Sequence, residues 1–218
     1  MLLFVLLWLA QCLLVPKYTS DDIPEGALIS EYYQSAGGHD VLFVGDCEVY
    51  ENFSPVTLWE KYGISSYIRG SAQQLIWQSY YMLAEMLEYE KPQVVVYNVL
   101  AMKYGTPQSE AYNRLNLDGM RMSSYKIKAV RASMTDGESF LSYVFPLLRY
   151  HSRWSELGAN DVTYMFRRDS VSHAGYLMQT GVRGIDPASI PAAPPLESYE
   201  LPRVSWDYLD RMRDLCEQ

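Results

Sequence analysis

The chain has 218 residues, of which 49% are apolar, 14% aromatic and 20% charged, a composition that excludes an intrinsically disordered chain, a collagen-like repeat and a disulfide scaffold. Its 26 acidic and 18 basic residues give a net charge of −8, which argues against nucleic acid as a partner, because phosphate binding requires a basic face. The length fits one domain, or part of a larger one.

The chain begins with an apolar segment, residues 2–15, interrupted only by Gln11. As a helix it would cover roughly 21 Å at about 1.5 Å per residue, which is short for a hydrocarbon core of about 30 Å. No basic residue precedes the segment and no small-residue cleavage site follows it, so a cleaved signal peptide is not favoured. We predict an uncleaved membrane anchor over residues 1–16; a buried core helix and lipidation of Cys12 are the alternatives.

The sequence between residues 40 and 100 alternates between strand and helix patterns. Continuous apolar runs predict buried strands over residues 40–46, 64–68 and 93–100. Helices are predicted before and between these strands, over residues 24–33, 54–63 and 73–90. This order predicts an α/β fold, a three-layer α/β/α arrangement with a parallel sheet.

The remainder of the chain is predicted to be helical, with an insertion over about 105–180 in which Pro146 breaks the strongest stretch. Prolines in residues 181–203 predict an extended connector, and an amphipathic helix begins at Ser205. No further buried strand is evident, so we expect the α/β domain, residues 17–218, to be truncated. The sheet should then lack strands on one edge and leave apolar surface uncovered there.

Each predicted strand ends in residues that could contribute to a site: Gly45-Asp46-Cys47 after the first, Arg69-Gly70-Ser71 after the second and Asn98 after the third. The carboxyl ends of parallel strands meet at one sheet edge, where α/β folds place their chemistry. A residue on a sharp strand-to-helix turn is lifted clear of the sheet, close to backbone N–H groups that can stabilise an oxyanion. Cys47 is therefore a candidate nucleophile.

This pattern resembles the SGNH/GDSL hydrolase superfamily, in which a Gly-Asp-Ser turn follows the first strand and a glycine and an asparagine follow the next two. The resemblance implies that Cys47 occupies the nucleophile position, and Gly70 and Asn98 the oxyanion positions. It extends to a bacterial membrane-anchored group through the segments DVLFVGDCEVYENFSPVTLWEKYGI, YIRGSAQQ, KPQVVVYNV and FPLLRYHSRWSEL.

That group is similar to proteins that move O-acyl groups on cell-envelope polysaccharides and teichoic acids. The resemblance therefore implies a domain on the extracytoplasmic face of the membrane. It also implies a carbohydrate or acyl ester ligand and a possible membrane-bound acyl-transfer partner.

Two features depart from the superfamily pattern. Cysteine replaces serine at position 47, and the neighbouring charge of Glu48 would raise the thiol pKa. The superfamily's Asp-x-x-His block, which supplies the base, does not follow in this chain, which we therefore expect to be the amino-terminal portion of the domain. His173, four residues after Asp169, and His151 are weaker candidates for the base, and His39 is predicted to lie in a loop.

Further polar residues in or near these blocks are candidate ligand-binding residues: Asp46, Glu48, Arg69, Gln73, Arg149, His151 and Arg153. The basic pair Arg149 and Arg153 beside Trp154 suits an acidic or sugar ligand, and a solvated helix end has the same composition. The 19 tyrosines and five tryptophans suit carbohydrate clefts, membrane-near surfaces or an aromatic-rich core. Three cysteines and three histidines without metal-ligand spacing indicate neither a metal nor a cofactor.

Two functions are compatible with this sequence. In the first, the chain is an SGNH-like esterase or O-acyltransferase in which Cys47 attacks an ester carbonyl. In the second, it is a catalytically silent envelope binding or assembly protein of the same architecture. A thiol enzyme built on a Cys47–His151 pair is a third hypothesis and requires the two side chains to lie within hydrogen-bond reach.

Overall fold

The computed structural model describes residues 1–17, 25–168, 170–178, 184–189 and 198–217. Asp169 and much of the predicted proline-rich connector, residues 181–203, lie outside the described residues. The described residues form eleven α-helices and one three-stranded sheet.

The sheet is parallel, as predicted, with strand order β2-β1-β3. The strands are β1 (Val41–Gly45), β2 (Ser66–Gly70) and β3 (Val94–Tyr97). β2 begins and ends two residues later than predicted, so Arg69 and Gly70 belong to the strand. β3 ends earlier than predicted, because Asn98 caps a 3₁₀-helix over Val99–Lys103.

The helices confirm the predicted helix and strand order. They are α1 (Leu2–Leu14), α2 (Glu25–Glu31), α3 (Cys47–Asn52), α4 (Pro55–Tyr62), α5 (Ile76–Met86), α6 (Glu110–Leu117), α7 (Ser124–Ser133), α8 (Phe140–Val144), α9 (Leu147–Tyr150), α10 (Ala159–Phe166) and α11 (Arg203–Cys216). α4 has the predicted signals, since the hydroxyl of Ser54 accepts the N–H of Thr57 (3.2 Å) and Gly63 adopts a left-handed conformation. Pro146 separates α8 from α9 as predicted.

Helices cover both faces of the sheet. Leu42 and Val44 of β1 face a core layer that contains Leu83 of α5 and Met212 of α11. Phe43 faces the opposite layer, which includes Leu28 of α2, Val49 and Tyr50 of α3, Ile68 of β2 and Leu177. This arrangement follows from the two-residue period of strand side chains and supports the α/β prediction. The insertion, α6 to α8, packs on α2 and α5 through Leu117, Val130 and Tyr143.

The two edges of the sheet differ in their cover. Beside β2, the N–H of Ile68 donates to the carbonyl of Ala174 (3.0 Å), and the N–H of Leu177 donates to that of Tyr50 (3.1 Å). Beside β3 no further strand is present among the described residues, and Val94 is 50% exposed. Within the described ranges the sheet therefore has an open edge at β3; the sequence analysis predicted one such edge without specifying the strand.

The N-terminal helix α1 packs against α9, α10 and the 3₁₀-helix His151–Ser155. The side chains of residues 1–9 are exposed, and Leu14 is buried. Among the helices in the described ranges, none combines the length and hydropathy that a membrane span requires.

Candidate functional site

The carboxyl ends of the three strands lie together. Gly45 pairs with Gly70 across β1 and β2, and the N–H of Asn98 donates to the carbonyl of Val44 (3.0 Å). A Cβ atom on Gly45 would lie 2.8 Å from the Cβ of Asn98, and one on Gly70 would lie 2.9 Å from the carbonyl oxygen of Gly45. Both glycines are therefore required for this close approach. The structure brings the three predicted strand ends to one site.

The turn that presents Cys47 is built by Gly45 and Asp46. Gly45 has a φ of +150°, which L side chains rarely adopt. The carboxylate of Asp46 accepts the N–H of Glu48 (3.3 Å), so Asp46 is the N-cap of α3 and Cys47 its first residue. Asp46 is only 4% exposed. Its carboxylate therefore stabilises the turn and has little access to a ligand.

The thiol of Cys47 is half-buried and packs against the core layer that contains Phe43. Its pKa is raised, first by burial and then by the negative charges of Asp46, Glu51 and Glu48. Glu48 is itself exposed and accepts a hydrogen bond from Asn52 (2.7 Å). The structure thus supports the predicted influence of Glu48, which acts with burial and the other two carboxylates to disfavour the thiolate.

Asn98 retains a free donor at the site. Its side-chain oxygen accepts the N–H of Leu100 (2.8 Å), which fixes the side chain as the cap of the 3₁₀-helix. Its Nδ2 group has no hydrogen-bond partner within the described part of the chain. An oxygen that develops negative charge close to Cys47 could accept from this amide.

The structure does not bring a histidine to Cys47. His39 lies before β1, at the opposite end of the strands, and its ring contacts Glu90 (2.7 Å). The ring of His151 contacts a backbone carbonyl in its own turn (3.1 Å), and His173 forms an isolated bridge beside β2. No described histidine hydrogen bonds to the thiol, so the Cys47–His151 pair is not formed.

The predicted binding residue Arg69 lies inside the molecule. Its side chain is completely buried, pairs with Glu85 (2.7 Å) and donates to the hydroxyl of Tyr33 (2.7 Å) and the carbonyl of Met82 (3.2 Å). Because its guanidinium is committed to these groups, the structure contradicts a ligand-binding role for Arg69. Gln73 is partly exposed in the loop after β2 and adopts a φ of +51°, which is uncommon for a residue other than glycine.

Arg149, His151 and Arg153 lie in a different part of the molecule. They belong to α9 and the 3₁₀-helix that follows it, which pack against α1 and α8. Arg149 pairs with Glu110 (3.0 Å), and Arg153 donates to the carbonyl of Leu14 (2.6 Å). These residues therefore lie apart from the strand ends, and their binding of an acidic or sugar ligand stays a prediction.

The sequence analysis did not single out Tyr97, which lies next to the strand-end residue Asn98. It precedes Asn98, and its hydroxyl is buried without a hydrogen-bond partner among the described residues. Its pKa is raised, first by burial and then by the charge of Asp46, so these two side chains share one electrostatic environment. The only sequence signal is a polar-tipped aromatic residue at the end of an otherwise aliphatic strand.

The described residues contain no group of three or more histidine, cysteine or acidic side chains arranged to hold a metal ion. No protein-family model, curated protein or solved structure matches the chain. The interpretation of the site therefore depends on its own geometry.

Proposed function

We propose that the protein is an SGNH-like esterase or O-acyltransferase that acts on acyl esters of cell-envelope carbohydrate or teichoic acid. The observation that carries this proposal is the convergence of Cys47, Gly70 and Asn98, through the contacts of Gly45 with the other two strand ends. A nucleophile on a strand-to-helix turn beside an unpartnered amide donor is the arrangement that acyl transfer requires.

In the proposed reaction the sulfur of Cys47 attacks the ester carbonyl carbon, and the carbonyl oxygen gains negative charge beside the amide of Asn98. Collapse of this intermediate breaks the ester C–O bond, and the leaving alkoxide takes the thiol proton. The resulting thioester is then resolved by water in an esterase, or by an acceptor hydroxyl in an acyltransferase. The same proposal assigns α1 to a membrane anchor, the domain to the extracytoplasmic face and the acyl donor to a membrane-bound partner.

The raised thiol pKa favours a second candidate, a catalytically silent envelope binding or assembly protein. Three carboxylates near Cys47 oppose its ionisation, and no described histidine is placed to remove the proton. A protein of this kind would bind the same esters without forming the thioester.

The test is the pH dependence of alkylation at Cys47. In a Cys12→Ser, Cys216→Ser background, Cys47 is the one thiol that iodoacetamide can label. The rate of its alkylation should rise with pH, and the midpoint of this rise should lie at a higher pH than for a cysteine in a short peptide. Glu48→Gln should lower this midpoint, because it removes a charge that opposes the thiolate. Glu60→Gln, an exposed carboxylate of α4, is the matched control and should leave it unchanged.

Turnover of an aryl acetate ester separates the two candidates. An esterase hydrolyses the ester faster as the thiolate fraction rises, and Cys47→Ala abolishes this hydrolysis. A thiol that is alkylated normally but gives no turnover indicates the silent binding protein. Hydrolysis that persists in Cys47→Ala contradicts the proposed nucleophile.

A further inference from the structure

The helix α1 exposes apolar side chains around its whole circumference. Residues 1–9 are all apolar, and their exposed fractions range from 38% at Leu9 to 101% at Met1. A helix that is apolar on every side is stable when protein or lipid surrounds it, and an exposed apolar surface of this extent marks an interaction site.

A cavity of about 390 Å³ lies where the C-terminal half of α1 meets the body of the protein. Apolar side chains of α1, such as Trp8, form one part of its lining, and three cationic residues, Lys17, Lys126 and Arg168, form another. Two carboxylates lie nearby, Asp118 in the lining and Asp161 close to Lys17. Each of these carboxylates pairs with an arginine instead, so none of the three cations has a carboxylate within 4.0 Å in the described ranges.

The charged groups of Lys17 and Arg168 both lie over the aromatic ring of Tyr164. The Lys17 ammonium is 6.0 Å from the ring centre of Tyr164, and the Arg168 guanidinium is 5.7 Å from it. Lys17 also donates to three backbone carbonyls at the C-terminal end of α1, those of Cys12 (2.5 Å), Leu13 (3.4 Å) and Val15 (2.5 Å), so it contributes positive charge to the cavity rather than a free N–H. Its pKa is lowered to about 8, chiefly by burial, with Asp161 opposing the shift and Arg153 and Arg168 adding to it. The cavity therefore concentrates positive charge at the end of an apolar helix.

Lys126 adds a third, buried charge. It is 5% exposed, and its ammonium donates to the carbonyls of Met120 (3.0 Å) and Asp118 (3.3 Å). An ammonium has three donors, so these two bonds leave one N–H for a ligand. Arg168 is exposed and has no hydrogen-bond partner within the described part of the chain, so its guanidinium can receive an anion from solvent or from a surface.

We propose that this cavity binds the phosphate of an anionic lipid headgroup while the exposed part of α1 inserts into the hydrocarbon of the same bilayer. Charge complementarity selects this occupant, because a protein with a net charge of −8 presents unpaired cations directly beside its most apolar surface. An anionic bilayer supplies both the phosphate and the apolar cover. The inference does not depend on Cys47, which lies at the strand ends.

The test is binding of the full chain to two kinds of vesicle, phosphatidylcholine alone and phosphatidylcholine with phosphatidylglycerol, measured by cosedimentation. Binding should be stronger to the vesicles that contain phosphatidylglycerol. Lys17→Gln with Arg168→Gln should weaken that binding by about 5-fold for each cation removed and leave binding to phosphatidylcholine unchanged. Arg168→Gln alone should weaken binding to the vesicles with phosphatidylglycerol by about 5-fold. This variant leaves the carbonyl contacts of Lys17 in place.

The matched control is Lys61→Gln with Lys91→Gln, which removes two exposed cations that do not line this cavity. The control protein should still bind more strongly to the vesicles with phosphatidylglycerol. Its preference for these vesicles should be greater than that of the Lys17→Gln, Arg168→Gln protein. Equal binding to both kinds of vesicle, or equal losses in the two double variants, would overturn the headgroup site. Failure to bind either vesicle, or self-association that buries α1 without lipid, would overturn the proposal as a whole.

Discussion

At the scale of single residues, Arg69 shows how a charge is accommodated inside this fold. Its guanidinium lies on the core side of β2, paired with Glu85 and 4.7 Å from the ring centre of Tyr32. A buried ion pair adds little over apolar packing, but removal of one partner leaves an uncompensated charge in a low-dielectric environment. The role of Arg69 is therefore structural.

Arg69→Ala should lower the free energy of unfolding by about 3–5 kcal/mol, because it leaves the carboxylate of Glu85 buried without its partner. Arg149→Ala is the matched control, since Arg149 also pairs with a carboxylate but is 51% exposed, and its loss should cost under about 1 kcal/mol. Urea denaturation followed by tryptophan fluorescence measures both. Similar losses in the two variants would contradict the assignment of Arg69 to the core.

The sequence predicted the strand ends but not the surroundings of Arg69. The apolar runs and the turn residues are local signals, so Gly45, Gly70 and Asn98 could be located from them. Glu85, by contrast, belongs to a helix, and nothing in the local pattern of β2 shows that this carboxylate meets Arg69 across the core. The contact of Arg153 with the carbonyl of Leu14 could not be predicted for the same reason, because the two residues are distant in sequence.

At the scale of elements, the outer edge of β2 is covered by a segment that the sequence analysis did not assign to the sheet. Gly175 makes this possible: its φ is +85°, and a Cβ there would lie 1.8 Å from the carbonyl oxygen of Ile68. A segment can cover a sheet edge in this way only where two backbones that are distant in sequence come close together. The hydrophobic periodicity of the sequence carries no information about such contacts. The same limit applies to the open edge at β3, because the sequence analysis predicted one edge short of strands but not which strand would form it.

Gly175→Ala should separate this segment from β2, because the new methyl group cannot fit against the strand. We expect a loss of about 1–3 kcal/mol in the free energy of unfolding and faster hydrogen exchange at the amide of Ile68, which donates to Ala174. Gly137→Ala is the control, since Gly137 has a similar φ of +91° but nothing within 4 Å of its Cβ position. Unchanged exchange at Ile68 in Gly175→Ala would contradict the proposed edge cover.

At the scale of the whole molecule, buried carboxylates connect the sheet to the helices around it. Glu90, which follows α5, accepts hydrogen bonds from the backbone N–H of His39 (3.0 Å) and the hydroxyl of Tyr32 (2.7 Å). Burial raises its pKa, but the hydrogen bonds from His39 and Tyr32 outweigh this effect and leave the pKa below its ordinary value. Glu138 likewise has a lowered pKa, because bonds from Thr135, Tyr143 and other donors outweigh its burial.

The lowered pKa of Glu90 fixes the sign of its contribution to stability. A carboxyl group that ionises more readily in the folded state stabilises the fold above its unfolded pKa, and this contribution is lost as the pH falls through the folded pKa. Glu90→Gln should therefore cost about 1–3 kcal/mol at neutral pH and less as the solution becomes more acidic. The measurement is urea denaturation across the acid range, with Glu60→Gln as the exposed control. If Glu90→Gln were equally destabilising at every pH, its carboxylate could not be the charged acceptor that joins the start of β1 to the helical layer.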